Sequence, residues 1–258
     1  MKRISRPGPA GFTLLELLVV IAIIGVLAAL FFPVLGGAKA EGKRTACFNN
    51  VRQINLGIRM YCDDSNDVAP VTANPGQRTP LLAYKQLMKS YVGLKGRSSP
   101  QDLLFACTAD IFYYTEARDS RGFNNLWQTV WQSQHDQSRY DYSSYWFNGC
   151  NFHTNDNPQG AFYLGIAGCK IAAIKEPGKT VMVAESPAFY PYSWHEPRKP
   201  IRQPVGEVPP MFLDAKDVVG FVDGHANYIK MYFEEVPGNL FSVLYDPPPG
   251  YDYKWSGD

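Results

Sequence analysis

The most pronounced hydrophobic pattern in the chain is an apolar run near the N-terminus, from Leu17 to Phe32, that contains no charged residue. Counted over residues 12–35, the segment is long enough to cross a bilayer core, which requires roughly 20 apolar residues in a helix. Three basic residues and no acidic residue precede it, namely Lys2, Arg3 and Arg6. Because basic residues favour the cytoplasmic side, the pattern predicts a single membrane-spanning helix with a cytoplasmic N-terminus and an outward-facing remainder.

A second pattern follows Pro33, where apolar residues recur at spacings of three, four and their combinations, with basic residues between them. This periodicity is typical of a helix with one buried stripe. The stripe consists of Ala38, Ala46, Val51, Ile54, Ile58 and Tyr61. We expect one long helix over residues 12–64, transmembrane over 12–35 and kinked at Pro33. Turn-forming residues at 63–67 end it.

Further along the chain, the pattern predicts one more helix and several strands. Residues Thr79 to Val92 place apolar side chains on one helical face, and Leu103 to Cys107 form a short apolar run that favours a buried strand. The clearest β-strand runs from Lys179 to Glu185. After Pro237 the chain is rich in proline, and we expect an irregular tail on the surface.

The strongest local signal for a hairpin is the pair Asp223-Gly224, which lies between the β-rich runs Val218 to Val222 and His225 to Phe233. An Asp-Gly pair favours a tight hairpin because both residues can adopt positive φ angles. The pair is therefore explained by its turn, and a binding role is the less favoured alternative.

Residues 108–157 form a polar insertion that is unusually rich in aromatic side chains. They are Trp127, Trp131, Tyr140, Tyr142, Tyr145, Trp146 and Phe147. Exposed aromatic rings could stack on sugars or on a partner protein. We favour the alternative, in which these rings form the core of a loop-rich region.

The junction before the apolar run is the most specific motif in the chain, and residues 11–16 read GFTLLE. This motif resembles the processing site of type IV prepilins and type II secretion pseudopilins. The resemblance implies that a prepilin peptidase cleaves between Gly11 and Phe12 and methylates the new amine of Phe12. It also implies that the Glu16 carboxylate meets the Phe12 ammonium of a neighbouring subunit, since a charge at the membrane edge requires a partner.

Two simpler interpretations of the N-terminal segment compete with this resemblance. A secretory signal peptide has a shorter apolar core and ends at a small-residue cleavage site, for which residues 28–30 are a poor match. A plain membrane anchor explains the apolar run, but it accounts neither for Glu16 nor for the Gly11-Phe12 junction.

The resemblance implies an α+β, pilin-like fold, in which a long N-terminal helix packs on an antiparallel β-sheet head. Its parts would be a leader over residues 1–11, the helix over 12–64 and an extracytoplasmic head over 65–258. The implied function is that of a structural subunit in a type IV pilus or a type II secretion pseudopilus-like filament. It would be anchored in the bacterial inner membrane and would assemble with other pilin or pseudopilin subunits. The alternative is a single-pass binding or display module of the cell envelope that does not polymerise.

Three further stretches resemble a narrower group, the prepilin-like proteins with a processing-associated H-X9-DG domain. They are residues 47–54 followed by 61–70, residues 104–110, and the hairpin residues 221–225. One position departs from that pattern, because Leu213 stands ten residues before Asp223, where the group has histidine. His195 lies upstream and is a candidate to replace that histidine in space.

The chain contains five cysteines, namely Cys47, Cys62, Cys107, Cys150 and Cys169. An oxidising outer compartment permits disulfides, and the odd number leaves at least one thiol outside any pair, with several pairings open. Wide spacings without a Cys-x-x-Cys motif argue against a zinc site, and we expect no cofactor. Calcium is the one alternative, because Asp63, Asp64 and Asp67 cluster their carboxylates, although a solvated helix exit explains them better.

Charge and motif content favour a structural protein. The chain has 25 Lys and Arg against 24 Asp and Glu, and no basic cluster indicates a nucleic-acid surface. It lacks a Gly-x-Ser-x-Gly elbow, a His-Glu-x-x-His motif, a phosphate-binding loop and a dinucleotide-binding fingerprint. Its four histidines are scattered. We therefore expect no enzymatic activity and no nucleic-acid partner.

Overall fold

The computed structural model describes residues 12–71, 80–111, 113–118, 124–130, 143–149, 165–189, 192–198, 212–233 and 246–257. The chain divides into two compact units, residues 1–42 and 43–258. It combines a long N-terminal helix with a four-stranded antiparallel sheet, which confirms the predicted α+β class.

The long helix α1 spans Leu14–Asp64 without interruption, in agreement with the predicted extent of 12–64. The kink expected at Pro33 stays a prediction. From Leu14 to Phe31 every side chain is exposed except that of Ala28, which is half-buried. This part of α1 therefore presents an apolar surface on all sides, which is the pattern of a helix that lies in a membrane or inside a larger assembly.

The second half of α1 carries the buried stripe, but its position differs from the prediction. The buried apolar side chains are Cys47, Val51, Ile54, Ile58 and Cys62. Ala38 is exposed, so this member of the predicted stripe was wrong, whereas Ala46 and Tyr61 are half-buried and Tyr61 packs against the core. Cysteine behaves as a small hydrophobic side chain that is often buried, and counting Cys47 and Cys62 as apolar places the stripe correctly.

The predicted helix exit is confirmed at Asp64, and backbone geometry explains the stop. Asn66 adopts a left-handed conformation with φ of 55°, which asparagine tolerates better than most residues. The reversed chain lets the Asp67 N–H donate a hydrogen bond of 2.8 Å to the Cys62 carbonyl. This bond satisfies one of the carbonyls that the helix end leaves without a helical partner.

Two predicted elements in the next part of the chain change in extent or type. Helix α2 covers Pro80–Met88, shorter than the predicted 79–92, because turns follow from Lys89. The predicted strand at residues 103–107 was wrong, since Leu103–Phe105 is a 3-10 helix. The Phe105 N–H donates to the Asp102 carbonyl at 2.9 Å, a local bond that a strand could not form. Short apolar runs do not distinguish strand from helix by periodicity.

In the part of the chain that the structure describes, six strands form two antiparallel sheets. They are β1 (Tyr113–Arg118), β2 (Asn124–Val130), β3 (Tyr145–Phe147), β4 (Val181–Glu185), β5 (Ala215–Phe221) and β6 (Ala226–Met231). The first two pair with each other, and the other four follow the order β3-β4-β5-β6. All five side chains of β4 are buried, and because successive side chains point to opposite faces, the sheet is covered on both sides there.

The hairpin between β5 and β6 is confirmed, but its turn differs from the predicted one. Gly224 has a φ of 101°, whereas Asp223 is not among the described residues with positive φ. The Phe221 N–H donates to the His225 carbonyl at 2.9 Å, which closes a three-residue loop with glycine at its last position. Only Gly224 therefore requires the left-handed region, and the expectation of positive φ at both residues was wrong.

The core beside the sheet is aromatic. Tyr145, Trp146 and Phe147 are at most 1 % exposed, which confirms the core interpretation for this part of the insertion. Only the backbone of Trp127 is described, and Trp131, Tyr140 and Tyr142 lie outside the described residues.

Part of the chain end also enters this core, so the prediction of a surface tail was wrong for Tyr253 and Trp255, whereas residues 248–250 and Asp252 are exposed. Trp255 is 1 % exposed and lies 4.6 Å from the Phe189 ring, centroid to centroid. The Asn148 amide donates hydrogen bonds to the carbonyls of Val181, at 2.8 Å, and Trp255, at 2.7 Å. These two bonds fasten the tail to β4.

Candidate functional site

The predicted processing junction lies at the start of α1. Gly11 falls outside the described residues, and Phe12 is 70 % exposed. The first helical residue is Leu14, so Phe12 and Thr13 precede the first helical turn. An exposed, non-helical peptide bond is the local geometry that a peptidase requires, and the described side of the junction has it.

Glu16 closes a capping box with Thr13 at the start of α1. The Glu16 N–H donates to Thr13 Oγ1 at 3.2 Å, and Glu16 Oε2 accepts the Thr13 N–H at 2.8 Å. The Thr13 hydroxyl also donates to Oε2 at 2.8 Å. This reciprocal pair satisfies backbone donors at the helix start that have no helical partner. Glu16 therefore has a local structural role that the sequence interpretation did not include.

The capping box leaves Glu16 able to bind a second group. Oε2 accepts both hydrogen bonds from Thr13, one from its backbone N–H and one from its hydroxyl, so capping does not use Oε1. A carboxylate has lone pairs for about four donors. Helix capping and an intermolecular ion pair are thus compatible in the same side chain.

The three aspartates considered for calcium lie at the exit of α1. Asp64 Oδ2 accepts the Tyr91 hydroxyl at 3.1 Å, and burial together with this bond raises the pKa of Tyr91. Asp67 Oδ2 accepts the Ala172 N–H at 2.8 Å. Asp63 is exposed. Two of the three carboxylates thus join neighbouring segments to the helix exit, which favours their structural interpretation.

Asp223 and Gly224 form the loop of the β5–β6 hairpin. Asp223 Oδ1 accepts the His225 N–H at 3.0 Å and lies 2.6 Å from His225 Nδ1. The His225 ring stacks on Phe221 with a centroid distance of 4.3 Å. These contacts all stabilise the turn. Leu213, which occupies the histidine position of the H-X9-DG pattern, is 48 % exposed.

The structure also brings together a buried polar cluster that the sequence analysis did not predict. Cys47 and Cys107 form a disulfide with a Cα–Cα distance of 5.3 Å. Glu185 Oε1 lies 3.3 Å from Cys107 Sγ and 2.9 Å from His195 Nε2. The side chains of Glu185 and His195 are 0 and 2 % exposed. These four residues, Cys47, Cys107, Glu185 and His195, are called the buried cluster below.

Backbone contacts from the sheet position the buried cluster. Glu185 ends β4, and its Oε2 accepts the Val218 N–H of β5 at 2.9 Å. The Cys107 N–H donates to Ser144 Oγ at 2.8 Å. Asp217 of β5 is fully buried, and neither of its carboxylate oxygens has a hydrogen-bond partner among the described residues. Burial, followed by the nearby charge of Glu185, raises the pKa of Asp217 well above its ordinary value.

Only two sequence signals pointed towards this cluster. His195 stood out as a possible replacement for the histidine absent at Leu213, and Glu185 ended the clearest predicted strand. No spacing pattern connects either residue with Cys47 or Cys107, because the four residues come from distant segments.

Comparison with known proteins bears on the N-terminal segment. Residues 6–32 match the family described as the prokaryotic N-terminal methylation motif. Type II secretion system core protein G of Pectobacterium carotovorum subsp. carotovorum is 43 % identical over 56 residues, which cover 22 % of this chain and 36 % of that protein. The core protein G of Escherichia coli K12 is 41 % identical over 56 residues, or 22 % and 39 % of the two chains. The similarity confirms the resemblance to prepilin-type proteins in this segment.

The similarity does not extend over the whole chain. Core protein G of Aeromonas hydrophila is 39 % identical over 57 residues, which cover 22 % of this chain and 40 % of that protein. The chain thus spans about two fifths of the length of the curated relatives it matches. No solved structure is significantly similar to the chain. The fold of the head is therefore argued from its own residues.

Proposed function

We propose that this chain is a prepilin-type structural subunit of a type II secretion pseudopilus or a related type IV filament. It is cleaved between Gly11 and Phe12 by a prepilin peptidase, methylated at Phe12 and assembled with other pilin or pseudopilin subunits through α1. One combination of features supports this proposal: the matched methylation motif, residues 6–32, includes the first part of α1, whose apolar side chains are exposed all round.

An apolar helix of this kind requires a nonaqueous environment. Burying one Leu, Ile, Val or Phe side chain contributes about 1.5–3 kcal/mol, and 13 of the 18 residues at positions 14–31 carry such side chains. The inner membrane would provide that environment before assembly, and the helices of neighbouring subunits would provide it afterwards. Such transfer between two apolar environments allows reversible storage of subunits in the membrane.

Charge and cysteine chemistry support the orientation in this proposal. Lys2, Arg3 and Arg6 favour a cytoplasmic N-terminus. The Cys47–Cys107 disulfide would then lie in the head on the opposite, oxidising side. A single-pass inner-membrane protein with an extracytoplasmic head accounts for both features.

Glu16 would fix the register between subunits. In an apolar environment an unpaired carboxylate is costly, and a methylated ammonium of Phe12 from a neighbouring copy would neutralise it. The capping box with Thr13 orients the carboxylate at the helix start. The same side chain would thus stabilise its own helix and recognise the next one.

A pair of substitutions at Glu16 separates these two roles. Glutamine keeps the capping-box hydrogen bonds but removes the charge, whereas alanine removes both. We expect Glu16→Gln and Glu16→Ala to abolish recovery of the chain in sheared surface filaments to a similar degree, while the head stays folded. If the Glu16→Gln chain is recovered in filaments as well as the unsubstituted chain, the ion pair between Glu16 and Phe12 does not set the register between subunits.

Cleavage and methylation change the N-terminal residue, which can be identified directly. Mass spectrometry of the protein isolated from cells should find N-methyl-Phe12 as the N-terminal residue. Gly11→Ala should block cleavage and leave Met1 or its processed form at the terminus. An unmodified N-terminus on the wild-type chain in filaments would overturn the proposal.

A display module of the cell envelope is the second candidate function. The strands of the head form two separate sheets. A head of this size can bind partners without polymerisation, which favours a display function. A display protein would tolerate both Glu16 substitutions. For both candidate functions we propose a non-enzymatic role that uses neither calcium nor another cofactor. We also propose that the head is related to the H-X9-DG group.

A further inference from the structure

Among the residues that the structure describes, the buried cluster stands out because it places several potential metal ligands together where a structural core needs only apolar packing. It combines two cysteine sulfur atoms, a histidine Nε2 atom and a glutamate oxygen, all within 4.8 Å of one another. The proposed assembly through α1 does not use any of these groups. Their convergence at a nearly solvent-free position therefore requires its own explanation.

We propose that the buried cluster binds one zinc ion when Cys47 and Cys107 are reduced, and that zinc binding and the Cys47–Cys107 disulfide are mutually exclusive states of this head. The ligands are Cys47 Sγ, Cys107 Sγ, His195 Nε2 and Glu185 Oε1. Sulfur, imidazole nitrogen and carboxylate oxygen are the ligand types that zinc takes in four-coordinate sites. Only one of the four ligand atoms is an oxygen, whereas calcium and magnesium are bound mainly by oxygen atoms.

The distances fit such a site. With Zn–S of about 2.3 Å and Zn–N of about 2.0–2.1 Å, tetrahedral geometry separates neighbouring ligand atoms by about 3.5 Å. Cys107 Sγ lies 3.3 Å from Glu185 Oε1 and 3.8 Å from His195 Nε2. Glu185 Oε1 and His195 Nε2 are 2.9 Å apart, and a small outward movement of either side chain admits the ion. The two sulfur atoms separate on reduction.

The ligands sit on elements that hold them in place. Cys47 is on α1, and Glu185 is fixed at the end of β4 by the Val218 N–H, which binds its other oxygen. A hydrogen bond to the second oxygen orients a carboxylate for metal binding.

The two states are connected by balanced chemistry. Zinc binding releases the two thiol protons and forms two Zn–S bonds, and no electron is transferred. A protein disulfide of the export pathway then oxidises the cluster by thiol–disulfide exchange. The two thiolates lose two electrons and form the S–S bond, the oxidant takes up two electrons and two protons as two thiols, and the zinc ion leaves.

Zinc binding before disulfide formation would guide the choice of cysteine pairs in a chain with five cysteines. Zinc would hold Cys47 and Cys107 together before oxidation, and it would keep them from pairing with Cys62, Cys150 or Cys169. Correct pairing matters because the disulfide joins α1 to a segment 60 residues further along the chain. Zinc would thus act as a placeholder during maturation of the head.

Metal titration of the full-length chain in detergent tests the proposal. The protein is reduced with a phosphine, stripped of metal and titrated separately with Zn²⁺ and Co²⁺ alone. We expect one equivalent of zinc per chain and a thiolate-to-cobalt charge-transfer band of a tetrahedral site. The air-oxidised protein should bind no stoichiometric zinc.

Matched variants locate the ion. Cys47→Ser and His195→Gln should weaken zinc binding by on the order of 100-fold or more, since each removes one ligand. Cys62→Ser and His225→Gln remove a thiol and an imidazole outside the cluster and should leave the affinity unchanged. For His195→Gln, formation of the Cys47–Cys107 disulfide and a cooperative unfolding curve after oxidation show that the head has folded.

The proposal is overturned if the reduced chain takes up no stoichiometric zinc, or if the cobalt complex lacks a thiolate band. It is also overturned if His195→Gln binds zinc as tightly as the unsubstituted chain, or if Cys62→Ser weakens binding as much as Cys47→Ser. None of these outcomes depends on whether the chain forms filaments, so this test is independent of the proposed function.

Discussion

The side-chain amide of Asn55 donates a buried hydrogen bond of 2.8 Å to the backbone carbonyl of Phe221, across 166 residues of sequence. Asn55 lies on the buried stripe of α1, and Phe221 is the last residue of β5. The same carbonyl accepts the Gly224 N–H of the hairpin loop at 2.9 Å, so the Asn55 amide supplies its second hydrogen bond. It joins the helix to the sheet at one defined position.

Removal of this bond should destabilise the head. Asn55→Ala removes one of the two hydrogen bonds that the buried Phe221 carbonyl accepts, and the loss of one such bond costs about 0.5–1.5 kcal/mol. Chemical unfolding of the detergent-solubilised chain, followed by tryptophan fluorescence, measures this change. The exposed neighbour Gln53 serves as the control, because Gln53→Ala should change the free energy of unfolding by less than about 0.5 kcal/mol. Equal effects of the two substitutions would show that the hydrogen bond contributes nothing.

The close approach of α1 to β5 depends on Gly220. A Cβ atom at this position would lie 2.9 Å from Asn55 Nδ2 and 3.0 Å from Val51 Cγ1. We expect Gly220→Ala to lower the free energy of unfolding by about 1–3 kcal/mol, the usual effect of overpacking. Gly42→Ala is the matched control, since nothing lies within 4 Å of its Cβ position. In an exposed helix it should increase stability by up to about 1 kcal/mol.

A buried ion pair fastens the end of α2 to the segment that follows it. Lys89 Nζ lies 2.8 Å from Asp102 Oδ1, and the two side chains are 4 and 8 % exposed. Asp102→Asn should cost about 3–5 kcal/mol, because it leaves the lysine ammonium buried without its counter-ion. Lys179→Met removes the exposed contact of Lys179 with Asp252 and should cost less than about 1 kcal/mol.

The same pair predicts a pH dependence. Burial alone would raise the pKa of Asp102, but hydrogen bonds from Lys89 and the Ser99 N–H, with the charge of Lys85, lower it below its ordinary value. An acid with a lowered pKa in the folded state stabilises the fold above its unfolded pKa of about 3.9. This contribution is lost as the pH falls through the folded pKa. Unfolding curves between pH 6 and pH 3 should therefore show a smaller loss of stability in Asp102→Asn than in the unsubstituted chain.

Asp217 should have the opposite effect on stability. Burial and the neighbouring charge of Glu185 raise its pKa, so the folded chain binds a proton that the unfolded chain releases at about pH 3.9. Stability then declines as the pH rises from that value towards the raised pKa. Asp217→Asn removes this decline, and we expect it to stabilise the chain at pH 8 by on the order of 1–3 kcal/mol. An unchanged pH dependence in the variant would contradict the assignment.

The sequence by itself determined the features that arise from local pattern. The apolar run and the GFTLLE motif predicted α1 and the processing junction, because hydrophobicity and short-range spacing act over a few helical turns. Turn chemistry located the helix exit at Asp64 and the β5–β6 hairpin. Even here the local signal was incomplete, because Asp-Gly indicated a turn with two left-handed residues and the loop uses only Gly224.

Only the tertiary structure decided which distant residues meet. The choice of Cys47 and Cys107 as the disulfide pair, the burial of Trp255 and the convergence of Glu185 with His195 all depend on packing between segments far apart in the chain. A hydrophobic pattern reports that a side chain is buried but not against which partner. The sequence did not predict the buried cluster for this reason, since its four side chains become neighbours only when α1, β4 and the loops beside them close around one core.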